Sequence, residues 1–60
     1  MSRKDYVMIA AEIERKVRHW HGSDGAAALR DLARGLAADF KQDNVRFDRE
    51  RFLTACGIDE

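Results

Sequence analysis

Sixty residues, with eleven Lys and Arg against eleven Asp and Glu, one cysteine and no proline, lie near the lower size at which a domain buries enough apolar surface to fold unaided. A lone cysteine excludes an intramolecular disulfide and suits a reducing compartment, and a formal charge of zero removes the general argument for a nucleic-acid or anionic-lipid partner. No apolar run approaches the roughly 20 residues of a membrane span, and Met1 to Tyr6 lacks the apolar core of a signal peptide, so the expected setting is the cytoplasm.

Tyr6, Ile9, Ala10, Ile13, Val17 and Trp20 recur at three- and four-residue steps, which makes one stripe on an amphipathic helix over about 3–21. Ser2 is its expected N-cap and Asp5 favours its first turn; Glu12 with Lys16 and Glu14 with Arg18 are spaced for i, i+4 pairing. Gly22-Ser23-Asp24-Gly25 breaks the pattern with two flexible residues around two capping residues. A second helix over 24–43 follows, its stripe formed by Leu29, Leu32, Ala33, Leu36, Ala37 and Phe40. The short connection predicts an antiparallel hairpin.

Asn44 is expected to close the second helix in the left-handed conformation that asparagine tolerates. A third helix over 48–56 then has both ends encoded. Asp48 is the N-cap, Phe47 and Phe52 occupy the N′ and N4 positions of a hydrophobic staple, and Gly57 and Ile58 fit C′ and C″ of a Schellman ending. So short a helix is unstable alone and must dock on the hairpin through Phe47, Phe52, Leu53 and Ile58. The fold expected is a single all-α domain over residues 1–60, an antiparallel hairpin plus a short third helix.

Catalytic patterns are missing from this reading. His19, His21 and Cys56 are the only soft metal-ligand candidates, and residues two apart on a helix point in different directions. Cys56, in the last turn of a helix, sits where the dipole disfavours a thiolate. No Ser-His-Asp set or glycine-rich phosphate loop occurs, so neither enzyme activity nor a cofactor or metal is expected. Arg46, Arg49 and Arg51 interleave with Phe47 and Phe52 in a pattern compatible with a nucleic-acid surface, but Asp48 and Glu50 lie among them, and a capped helix with a solvated charged face accounts for the run more simply.

The residues off the stripes are more informative. Met8 lies nearly opposite the centre of the first apolar stripe and Val7 about a quarter-turn from it, both placed for outside contact. On the second helix Ala28 and Gly35 flank Leu32 and leave a shallow surface where a helix can approach closely. Gly35 costs about 1 kcal/mol relative to alanine in a helix interior, which calls for a packing reason, either within the domain or against a partner. Whether Trp20 completes the core or belongs to a contact surface is open at this level.

The ending Asp43-Asn44-Val45-Arg46-Phe47-Asp48-Arg49-Glu50-Arg51-Phe52-Leu53-Thr54-Ala55-Cys56-Gly57 resembles a family of short phage-encoded proteins of unassigned function that close on a D-N-x-R-F-D-x-x-R-F-L-x-A-C-G run. Arg3-Lys4-Asp5-Tyr6 followed by Ile9-Ala10 is similar to their opening, while residues 14 to 35 match loosely. The resemblance implies a phage or prophage origin and action in the cytoplasm of a bacterial host; it supplies no catalytic residues. Together with the residues, it leads to the expectation of a protein-protein interaction module, binding a second copy of itself as a homodimer or a host or phage factor. Val7, Met8, Gly35, Arg46 and Arg49 are the candidate contacts. A small DNA-binding transcriptional regulator is the alternative.

Overall fold

The computed structural model describes residues 1–58 as three helices, α1 (Arg3–His19), α2 (Asp24–Asp43) and α3 (Arg49–Ala55), and among the described residues there is no strand. Each helix packs on both of the others. This is the all-α domain expected, an antiparallel hairpin with a short third helix packed on both of its arms.

At the start of α1 the Asp5 carboxylate accepts from the Ser2 backbone N–H at 2.9 Å and from the Ser2 hydroxyl at 3.2 Å. These bonds hold the Asp5 carboxyl below its ordinary range, because they favour the charged form. The helix stops at His19, two residues short of the expected end. The Trp20 carbonyl turns out of the helical ladder and accepts both the Ser23 N–H (3.0 Å) and the Ser23 hydroxyl (2.5 Å). Ser23 thus occupies the N-cap position of α2 but spends its side chain on closing the turn. Of the charge pairs on α1, Glu14 with Arg18 forms as spaced, whereas Glu12 pairs with Arg15 rather than Lys16.

Asn44 does not close α2 in a left-handed conformation: it leaves the helix extended, at φ −140° and ψ 103°. Its side chain instead accepts the Arg46 N–H at 3.1 Å and its carbonyl accepts the Phe47 N–H at 2.9 Å, making a tight turn. Lys41 secures this turn from above, its ammonium donating to the carbonyls of Val45 (2.7 Å) and Phe47 (3.2 Å).

α3 carries the caps read from its sequence. The Asp48 carboxylate accepts the Arg51 N–H at 3.0 Å, and the Phe47 and Phe52 rings meet with centroids 5.5 Å apart. At the other end Ile58 N–H donates to the Leu53 carbonyl (2.9 Å) and Gly57 N–H to the Thr54 carbonyl (3.0 Å), the two bonds of a Schellman motif. Gly57 stands at φ +81°, where an L side chain is disfavoured by about 1–2 kcal/mol. An added Cβ meets Glu14 Cγ at an ordinary 3.5 Å, so the strain is in the backbone. Gly57→Ala is therefore expected to cost about 1–2 kcal/mol, read as a lower urea midpoint with unchanged slope.

The core joins Ala10 and Ile13 of α1, Ala33 and Ala37 of α2, and Phe47, Phe52, Leu53, Cys56 and Ile58 from the connection and α3. Tyr6, Phe40, Phe47 and Phe52 form a ring cluster across all three helices, with centroids 4.7 to 5.5 Å apart in tilted and edge-on pairs, the geometry aromatic quadrupoles favour. The buried line of α2 runs along its alanines, and Leu32, expected in the core, is 52 % exposed. Alanines let α2 pack closely against its neighbours. On a helix with 100° per residue Leu32 then falls roughly 100–140° from the line through Ala33 and Ala37, outside the contact.

Candidate functional site

Residues three and four apart share a helix face, and two such faces oppose one another. On α1 these are Arg3, Tyr6, Val7 and Ala10; on α3 and its cap they are Asp48, Arg51, Phe52 and Ala55. Together with Arg46 and Phe47 they line a groove of about 400 Å³. Its floor is aromatic and aliphatic: Tyr6, Ala10, Phe47 and Phe52, all of which belong to the core or pack against it. Val7, 60 % exposed, and Ala55, also exposed, add apolar walls.

Three arginines, Arg3, Arg46 and Arg51, belong to this lining, all exposed, and among the described residues none of them forms an ion pair. The one carboxylate in the lining, Asp48, is already accepting the Arg51 backbone N–H as the helix cap. In a chain of zero formal charge the groove is thus a local concentration of positive charge over apolar surface.

The structure separates the residues singled out from the sequence. Val7 and Arg46 line the groove, whereas Met8 and Gly35 do not. Met8 is 60 % exposed on another part of α1. Arg49 is half-buried and lies outside the groove lining. Arg3, Tyr6 and Ala55 were missed as site residues; their signal was the same i, i+3, i+4, i+7 spacing in two distant segments, which identifies two faces without saying that they oppose.

Gly35 is exposed, and a Cβ built there meets nothing within 4 Å. Among the described residues nothing packs against this position. Gly35→Ala is accordingly expected to stabilise the isolated domain by about 0.4–1 kcal/mol, measured as a rise in urea midpoint. Ala28 and Leu32 are likewise exposed on this side of α2, while Leu36 packs against the core.

Trp20 is 48 % exposed and outside the core. It stacks edge-on against His19 at 5.0 Å and lies over the start of α2, close enough that a Cβ at Gly25 would touch its ring at 3.5 Å. His19 and His21 are exposed, and among the described residues no three His, Cys, Asp or Glu side chains gather into a set able to hold a metal ion. Cys56 is fully buried, and burial pushes its thiol up to about 11. A thiol so placed is a packing group at neutral pH, since the thiolate is the reactive form. Among the described residues no helix is long and apolar enough to cross a membrane. No protein-family model, curated protein or solved structure matches the chain.

Proposed function

We propose that this protein is a small helical interaction module that works by binding another protein and carries no chemistry of its own. The observation that supports this reading is the apolar surface left over once the three helices have closed their core: Val7, Met8, Leu32 and Val45 are 60, 60, 52 and 78 % exposed. Scattered apolar residues are ordinary on any surface, but Leu32 adjoins the exposed Ala28 and Gly35 on one side of α2, and among the described residues nothing lies within 4 Å of a Cβ built at Gly35. A second copy of this chain suits that side of α2, because glycine and alanine let two helix backbones approach while the exposed Leu32 packs on its counterpart. The resemblance of the chain's ending to short phage-encoded proteins adds a setting, the cytoplasm of a bacterial host.

Light scattering over a concentration series tests self-association. The expected result is a molar mass rising from 6.9 kDa toward twice that value, reverting to the monomer on Leu32→Glu and weakened by Gly35→Ala even as the latter stabilises the monomer. A native chain that stays monomeric throughout the series removes the homodimer and leaves a heterologous partner as the only form of this proposal.

The grouping of Arg3, Arg46 and Arg51 on one groove favours a second reading, a small DNA-binding regulator. It predicts retention of duplex DNA at low salt and a steep loss of affinity as salt rises, because phosphate neutralisation releases counterions.

A further inference from the structure

The groove between α1 and α3 combines two recognition elements, an apolar floor and three arginines. Its floor of Tyr6, Phe47 and Phe52 is apolar, and its volume of about 400 Å³ falls within the roughly 300–1,000 Å³ of typical ligand clefts. The lining also holds Arg3, Arg46 and Arg51, none ion-paired among the described residues. Arginine forks grip carboxylates with two parallel hydrogen bonds, and do so best beside apolar surface that excludes water.

We infer that this groove holds an acidic amphipathic segment of a partner protein, with a bulky apolar side chain seated on the aromatic floor and flanking Asp or Glu carboxylates held by Arg3, Arg46 and Arg51. This rests on the reading of the chain as an interaction module and assigns its heterologous partner a chemistry. Charge complementarity selects an acidic segment over a neutral or basic one: the lining opposes three arginines to a single aspartate whose carboxylate already caps α3. The floor disfavours a single-stranded nucleic acid, because Phe47 and Phe52 are only 6 and 5 % exposed and leave little open ring face on which a base could stack, whereas an apolar side chain can sit against Val7 and Ala55 at the groove wall.

The experiment is a fluorescence-anisotropy titration of the full chain against a labelled peptide in which a central Leu-Phe pair is flanked by Asp and Glu on both sides. Two control probes accompany it, the same peptide with Ser-Ser at the centre and a short duplex DNA. Saturable binding of the Leu-Phe peptide is expected, weakened at least about tenfold by Arg46→Glu and by the Ser-Ser exchange, a change of about 1.4 kcal/mol. Val7→Asp, which brings a carboxylate to the apolar wall, is expected to act in the same direction. Arg46 and Val7 are exposed, so both variants keep the fold, which circular dichroism checks. The proposal is overturned by no saturable binding of the Leu-Phe peptide, by equal binding of the Ser-Ser control, or by DNA binding that exceeds peptide binding and is lost in Arg46→Glu. A chain that dimerises through Leu32 yet ignores the peptide loses the groove proposal and retains the interaction-module reading.

Discussion

Leu53→Ala is expected to bring this domain to the edge of unfolding. Leu53 is 1 % exposed and, with Cys56, is one of the two largest side chains wholly withdrawn from solvent. Truncating such a leucine removes its transfer free energy and leaves a cavity, together about 3–5 kcal/mol. A 60-residue domain has roughly 3–9 kcal/mol in total, and one without disulfide or metal sits toward the lower part of that range. The loss also falls on the helix least able to bear it. α3 has seven residues, too few to persist in water unless its apolar face is docked, and Leu53 is central to that face. Thermal unfolding followed by circular dichroism should show a midpoint lowered by on the order of 15 °C or more, or no cooperative transition at all. Thr54→Ala, one residue further on and exposed, should move the midpoint by only a few degrees. Similar small shifts in both variants would mean that α3 is not held by its buried face.

The second large effect is alkaline. The Cys56 thiol is raised from 9.0 to about 11 by burial, because a thiolate loses its hydration there. Below pH 9 the thiol is protonated in both folded and unfolded chains, and its contribution is fully present. Between about pH 9 and 11 the unfolded chain releases the proton while the folded chain retains it, so stability falls as pH rises through this window. A two-unit shift corresponds to at most roughly 3 kcal/mol, reached only above pH 11 because the folded thiol is itself half ionised there, and this is a large part of the stability of a marginal domain. Urea unfolding at pH 8 and pH 11 should therefore show a large loss for the native chain. Cys56→Ala, less stable at pH 8 through the missing sulfur, should lose much less between the two. Parallel losses in both proteins would assign the alkaline sensitivity to other groups. At neutral pH the same burial should make Cys56 react with a thiol reagent only as fast as the domain opens.

Where local chemistry decides, the sequence was sufficient. The ends of α3 follow from Asp48, the Phe47 and Phe52 pair, Gly57 and Ile58, because capping and stapling involve residues within one turn of one another. The three helices and the hairpin were legible for the same reason, in apolar spacing and a short connection. The misread ends have equally local causes: Ser23 holds the Trp20 carbonyl and stops α1 early, and the Asn44 side chain builds a turn that needs no left-handed residue.

What the sequence could not decide is which part of each apolar stripe becomes core and which faces meet. A stripe defines a direction only to within a quarter-turn or so. The close fit of α2 through Ala33 and Ala37 leaves Leu32 outside and, among the described residues, open space at Gly35, while the turn after α1 lays Trp20 against the start of α2. The groove is of this kind too. Arg3 and Arg51 are 48 positions apart in the chain, and only the packing of α1 against α3 places them, with Arg46, in the lining of one groove. Capping, turn formation and helical periodicity are thus properties of neighbouring residues and belong to the sequence alone; core membership and the shared groove depend on contacts between distant segments, which arise only when the helices pack.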